Sequence, residues 1–403
     1  MFSWRLKTRG LRPIGLDIGH HSIKMIQLAI NDNQIGVVAA DKARVDASIE
    51  GNSEERRRSV ILAIKQMLTR GNFHGRNVVS CLPNNRLKIT SLRLAEIETD
   101  QIEQALGKEA AHRFGLDPAN DAINYMLAGS VRQGDEIKNE LILFATDDET
   151  IRNHMAMLEE AQLRPVAIDT IPCALFKIFE RSLRRQEDKE RTVVFVDIGS
   201  RFTTVVFGRG GEICFVKQME IGGERLNQEI ATKLGIDINE VQMLRGKLRM
   251  ERELQAPHSS STTQACPARE QRLDNSTRQV MIDAINKVAE MLARELSMCF
   301  RYYTVTFRGK TVDRAIFSGG EAYENILLDF LRQQLRVEIE VAQPLRGFDM
   351  KNFKFNGSNQ DLFCEWAVAV GLSLNGWNGG SGEKEAAQTK DSAYVSSDND
   401  ERN

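Results

Sequence analysis

Leu16-Asp17-Ile18-Gly19 recurs as Val196-Asp197-Ile198-Gly199, 180 residues further along the chain. The first copy stands in IGLDIG, followed by the turn HHS and the run IKMIQLAI; the second stands in VVFVDIG, followed by SRFT and TVVFG. Apolar runs on both sides of a short polar turn predict, each time, a strand, a tight loop and an antiparallel strand. Each loop holds an Asp near a strand end and a Gly directly behind it. Gly19 and Gly199 let the backbone turn without a Cβ, so successive N–H groups can point into one concavity that suits an anion. Two such loops face to face would grip a polyphosphate and its metal ion from opposite sides.

The bulk properties narrow the choice. A chain of 403 residues has room for two or three structural units. Its 54 Lys and Arg against 56 Asp and Glu give a net charge of −2, so no global field attracts nucleic acid, and none is expected as a partner. The six cysteines (Cys81, Cys173, Cys214, Cys266, Cys299 and Cys364) form no close pair of the zinc or redox type and read as structural thiols. No apolar stretch approaches the roughly 18 residues that span a bilayer, so no transmembrane segment is expected. The start, MFSWRLKTRGLR, is basic without an apolar run behind it, which excludes a secretory signal and predicts a frayed leader.

Between the two hairpins the pattern is α/β. A third apolar run at Gly36–Ala40 completes a first meander, the helical spacing of Val60, Ile61, Ile64 and Leu68 predicts a helix capped by Asn52 or Ser53, and NVVSCL predicts a strand ended by Pro83. Residues 86–165 then read strand, helix, two strands, helix, strand, the split order of a ferredoxin-like module inserted between the halves. Pro172 opens a helix ending in the charge run RRQEDKER. The second half repeats the meander and enters a helix near Glu224. Residues 252–274 read as a mobile excursion. A long helix is predicted from Ser276 to about Tyr302, with Val280, Ala284, Ile285, Val288, Met291, Leu292, Leu296 and Cys299 on one stripe. RAIFSGG is a strand running into Gly-Gly before a further helix, VEIEVA is a strand, WAVAVGLSL is a short apolar helix, and the residues from 378 onward read as disordered.

The chemistry is expected at the duplicated loops. Asp17 and Asp197 are the carboxylates for a Mg2+ ion, which takes few protein carboxylates and keeps several of its waters. Ser22 and Thr203 offer hydroxyls and backbone N–H groups to phosphate, and Lys24 reaches phosphate oxygens as a point charge. Gly319-Gly320 would let a nucleoside lie against bare backbone, and Gly222-Gly223 ahead of Glu224 would approach a phosphate or ribose at a helix N-terminus. Each signal alone is weak: an isolated Asp-x-Gly is more often an ordinary hairpin end, and Gly-Gly often a mere tight turn. Their duplication in matching contexts is what carries the reading.

On these residues the chain resembles the actin-like ATPase superfamily, with DIGHHSIK as its phosphate 1 motif, VDIGSRFTT as phosphate 2, IFSGGE as the adenosine motif and WAVAVGLSL as its second connecting helix. IGGERLNQEIATKLGI and LEEAQLRPVAIDTIPCAL make it most similar to the PilM family of type IV pilus assembly proteins, relatives of the cell-division protein FtsA. The resemblance covers about residues 12–376. It implies an actin-like (ribonuclease H-like) fold of two α/β halves: 12–85 and 166–190 in the first, 86–165 as the inserted ferredoxin-like subdomain, 191–365 as the second, 366–377 as a closing helix and 378–403 as a tail. It further implies ATP bound between the halves and a partner in the cytoplasmic N-terminal peptide of a PilN-like inner-membrane protein, placing the chain in the cytoplasm at the inner face of the membrane; self-association stays open. His20-His21 replace the small residues usual in the phosphate 1 turn, which would crowd a phosphate or supply extra donors; a metal-binding pair is not expected of them, as no other His is near in sequence. Hydrolysis is not implied with the same force, because no residue that would position an attacking water stands out. A small-molecule kinase of the same superfamily and an FtsA-like division protein are the alternatives. The first lacks an evident base and the second an amphipathic C-terminal helix.

Overall fold

The computed structural model of the protein describes residues 10–31, 34–45, 54–95, 99–133, 135–180, 191–255, 273–307, 310–350 and 363–375. The leader, the cap at Asn52 or Ser53, the charge run after Glu180, most of the expected excursion and the tail lie outside the described residues.

The first half begins with the meander β1 (Leu11–Ile18), β2 (Ser22–Asn31) and β3 (Gln34–Arg44), followed by α1 (Glu54–Arg70) and β4 (Asn77–Cys81). Next come β5 (Lys88–Ala95), α2 (Thr99–Phe114), β6 (Ala122–Gln133) and β7 (Glu136–Thr146), then α3 (Asp148–Glu160), β8 (Arg164–Asp169) and α4 (Ile171–Glu180). The second half holds β9 (Val193–Ile198), β10 (Thr203–Arg209), β11 (Glu212–Met219), α5 (Gly223–Leu234), α6 (Ile238–Gln255), α7 (Asn275–Thr306), β12 (Arg314–Ser318), α8 (Asn325–Gln334) and β13 (Glu338–Val341). A final helix, α9 (Ala367–Ser373), follows a single 3-10 turn at Cys364–Trp366.

Two five-stranded sheets result, ordered β3-β2-β1-β4-β8 and β11-β10-β9-β12-β13. The two orders are the same when each is counted along its own half, so the repeated motif is the trace of a repeated sheet. Alternation along β1 and β2 explains how the first sheet is used. Ile14, Leu16, Ile23 and Met25 face α1 and α3 in one core with Ile64, Met67, Leu158 and Leu163. Ile26 and Leu28 join the opposite core, which runs on through α4 and α9 into the second half. The helices α4 and α9 cross closely there: a Cβ on Gly371 would lie 2.0 Å from the Ala174 carbonyl oxygen, so only glycine fits. The second sheet packs Phe195, Phe207 and Phe317 around Tyr303 of α7.

The structure differs from the sequence reading at four places. The segment 86–165 does not stay together: β5, β7 and β6 form a separate three-stranded antiparallel sheet with α2 packed through Leu106 and Ala110, but β8 pairs in parallel with β4 and extends the first sheet. By sheet membership β5, β6 and β7 stand apart, while β8 finds its hydrogen-bond partners along β4 (Ser80 opposite Ile168). Helix α6, where the sequence reading gives no element, fills the start of the expected excursion; Val241 and Leu248 are its buried face. Gly320–Tyr323 is a 3-10 turn, and the helix after it starts only at Asn325. Helix α7 runs about a turn beyond Tyr302.

Candidate functional site

The two repeated hairpins share the same register and the same turn hydrogen bond. In the first, Gly19 N–H donates to Ser22 O at 3.0 Å; in the second, Gly199 N–H donates to Phe202 O at 2.9 Å. Antiparallel register sets Asp17 opposite Lys24 and Asp197 opposite Thr204. Both Asp residues and both Gly residues line a single cleft of about 1830 Å³ between the halves, together with Ser22, Lys24, Gly319 and Gly320. Such a volume exceeds what one nucleotide-sized ligand fills.

The carboxylates are held by different means. Lys24 Nζ donates to Asp17 Oδ2 at 2.9 Å, with both side chains nearly buried. Burial alone would lower the Lys24 pKa, but the charge and hydrogen bond of Asp17 override it and hold the ammonium above its ordinary value. Lys24 is therefore engaged beneath Asp17 rather than extended toward a phosphate. Asp197 has no lysine; its Oδ1 accepts from Ser318 Oγ at 3.0 Å. Burial first, then the like charge of Asp17, raises its pKa to about 6, against the smaller opposing pulls of Ser318 and Lys24. A buried carboxylate raised by the like charge of a second one across the cleft is a group that a divalent cation relieves, so the residues present fit a Mg2+ held largely through its waters.

At the third loop, Gly319 has φ of 91° and a Cβ there would lie 2.3 Å from Ile198 O, which ties the β12 end to the second hairpin. Gly320 faces open space, with nothing within 4 Å of where a Cβ would stand. That is the bare backbone a nucleoside requires. Behind it, Arg245 of α6 bonds Glu321 at 2.5 Å and Glu324 at 3.0 Å, and Arg249 reaches the same two carboxylates at 3.0 Å. Burial pushes the Glu321 carboxyl up, but the two guanidiniums outweigh it and hold the pKa below its usual range. This network fixes the 3-10 turn. The helical spacing of Val241, Leu244 and Leu248 is the signal that announces its helix.

Not every expected site residue is where it was placed. Thr203 is fully buried, and its hydroxyl donates to Ile221 O at 2.6 Å, which braces β10. Gly222 and Gly223 do not leave the N-terminus of α5 open: Gly223 N–H donates to Gly199 O at 3.0 Å and Glu224 N–H to Ser200 O at 2.7 Å. The turn's own carbonyls occupy those amides. Glu224 turns to His20, His21 and Arg201 instead. Its carboxyl is held well below the usual range by the two imidazoles and the Arg201 guanidinium beside it, which overcome the upward push of burial. Arg56 of α1, given no part by the sequence, donates from Nη2 to the carbonyls of Gly19 at 3.0 Å and His20 at 2.9 Å.

A doubled β-meander sheet, with paired acidic turns opening into one cleft, is the architecture of the actin-like ATPase fold. The family described as type IV pilus assembly protein PilM matches residues 15–288, and the chain belongs to it. Among solved structures, the PilM-PilN type IV pilus biogenesis complex is similar with a TM-score of 0.71 at 20% identity, covering 90% of this chain and 98% of that one. The ethanolamine utilization protein EutJ from Carboxydothermus hydrogenoformans is similar at 0.51 and 13% identity, over 90% of this chain and 89% of that one. Among the described residues no helix is long and apolar enough to cross a membrane.

Proposed function

We propose that this PilM-family chain is an ATP-binding scaffold of type IV pilus assembly, in which the nucleotide clamps the two halves and thereby biases the binding of a protein partner. The observation that carries this reading is the convergence of both Asp-Ile-Gly hairpins, with equal turns and equal register, on one cleft. Gly19, Ser22 and Gly199 would receive the phosphates, Gly319 and Gly320 the nucleoside, and Asp17 and Asp197 the waters of a Mg2+ ion. Lys24 would act through Asp17. The magnesium would supply neutralising charge between the phosphates and the two carboxylates.

For the partner we propose the cytoplasmic peptide of a PilN-like inner-membrane protein, which would hold the chain at the inner face of the membrane. Support comes from the likeness to the PilM-PilN complex over nearly the whole of both chains. We propose the domain division 12–85 with 147–190 for the first half, 86–146 for the inserted subdomain and 191–365 for the second half, with 366–377 closing the first.

Calorimetry with ATP and Mg2+ tests the site. The parent chain should bind one nucleotide, and Asp197→Asn should weaken Mg2+-dependent binding by about tenfold or more, equal to about 1.4 kcal/mol. Asparagine keeps the acceptor for Ser318 and the shape of the strand end, so a folded variant is expected. Equal affinity in parent and variant would remove the paired carboxylates from the site.

A further inference from the structure

The turn after Asp17 carries two adjacent imidazoles, and the fold delivers a third ligating group to them from the other half. His20 Nδ1 lies 2.9 Å and His21 Nε2 3.6 Å from Glu224 Oε1, and the three ligand atoms fall within 4.8 Å of one another. Around an ion with four ligands at about 2.0–2.1 Å, neighbouring ligand atoms stand roughly 3.3 Å apart. The two measured separations bracket that value.

A second observation concerns His20 itself. Both its ring nitrogens are buried, and neither makes a hydrogen bond of good geometry, although Nδ1 is close to the carboxylate. A plain imidazole–carboxylate pair would align that contact; two lone pairs directed at a shared ion need not. The surroundings also hold the ligands in place. Glu224 Oε2 accepts from Arg201 Nε at 2.8 Å and Oε1 from Ser200 Oγ at 3.3 Å, which holds Oε1 turned to the imidazoles. Arg56 pins the backbone of the turn through the Gly19 and His20 carbonyls. Outer partners that orient the ligands in this way are a property of metal sites. Two imidazole nitrogens with one carboxylate suit a borderline ion better than a hard one, which prefers an all-oxygen set.

We infer that His20, His21 and Glu224 form a binding site for a divalent transition ion of the Zn2+ type, stapling the first hairpin to α5 at the mouth of the cleft. Three protein ligands leave a four-coordinate ion one further position, for water or for an anion entering the cleft. The inference does not rest on the nucleotide reading, since neither Asp17 nor Asp197 is among the ligands.

The test uses the full chain, stripped with a chelator and titrated with Zn2+ by calorimetry and with Co2+ by visible absorption. One ion should bind per chain, and Co2+ should give the intense spectrum of a tetrahedral nitrogen–oxygen site. His20→Gln, His21→Gln and Glu224→Gln, checked by circular dichroism and melting, should each weaken Zn2+ binding at least about tenfold. Asp197→Asn should leave it unchanged. Absence of binding by the parent overturns the inference, as does parental affinity in a His20→Gln/His21→Gln chain. Loss of Zn2+ in Asp197→Asn alone overturns it too, by moving the ion to the paired carboxylates. If Glu224→Gln fails to fold, the two imidazole variants decide the matter. A parent that binds Zn2+ but no nucleotide would defeat the nucleotide reading and leave this one standing.

Discussion

Asp17 and Asp197 occupy the same position in two copies of one sheet, yet the chain stabilises one and strains the other. The strand register explains how. Asp17 faces Lys24 across the hairpin, where Asp197 faces Thr204; on the other side, Ser318 pairs with Asp197 in the position that Cys81 holds in the first half. The first carboxylate therefore has a full counter-charge and the second has a hydroxyl. Asp197 keeps its proton up to about pH 6, against about 3.9 in an unfolded chain. A raised folded pKa contributes stability that is fully present below about pH 4 and is lost as pH rises through about 6. At pH 8 the ionised Asp197 is a cost, so Asp197→Asn should be more stable than the parent by about 1–3 kcal/mol there. The gain should shrink to nothing at about pH 4. Denaturant melts of both proteins across that range check this, and a gain that did not depend on pH would mean that Asp197 is not the strained group. The same substitution is expected to weaken nucleotide binding, so stability and function should move in opposite directions at this one residue.

Among the elements, α4 and α9 matter most to the cleft, because both cross where the halves meet and both pack on the strands that carry the acidic turns. Gly371→Ala would force a methyl to within 2.0 Å of the Ala174 carbonyl, a backbone atom with no rotamer to yield. Overpacking of that kind costs about 1–3 kcal/mol and sometimes more. The expected outcome is a lowered melting temperature for Gly371→Ala, with Gly246→Ala in the middle of α6 unaffected or improved, since a Cβ at Gly246 meets nothing. Equal melting temperatures in all three would mean that the helices do not cross closely. The elements themselves were largely legible in the sequence, because each strand and helix writes its own period locally. What was not legible was membership. Whether β8 joins β5–β7 or β4 depends on a pairing across more than eighty residues, and no local period records it. The site divides in the same way: the acidic turns announce themselves, but Ser318 beside Asp197, Arg56 under the first turn and Arg245 behind the 3-10 turn become partners only through non-local packing. The amides of Gly223 and Glu224 run the other way, since a helix N-terminus read alone looks open and the fold turns those amides to the carbonyls of Gly199 and Ser200.

At the scale of the whole molecule the two sheets are copies with a cleft between them, and several contacts besides the acidic turns cross from one half to the other. Asp349, beyond β13, pairs with the edge of β3: its N–H donates to Ile35 O at 2.8 Å and its carbonyl accepts from Val37 N–H at 3.0 Å. Lys42 reaches Glu365 at 3.4 Å, and Tyr323 donates to the same carboxylate. These links add to the core that already joins the halves through α4 and α9. A ligand gripped by both halves must then order segments that are remote in sequence at the same time. Hydrogen exchange with and without ATP–Mg2+ should show slower exchange in Gly19–Ser22, in Gly199–Phe202 and in Gly319–Tyr323 together, while the inserted sheet β5-β7-β6 is unchanged. At a nucleotide concentration about 100 times its Kd, the global stabilisation should reach about 2.7 kcal/mol. Protection confined to the turn of a single half would mean that the ligand sits on one lobe, and the clamp between the halves would have to be abandoned even if nucleotide binding itself were confirmed.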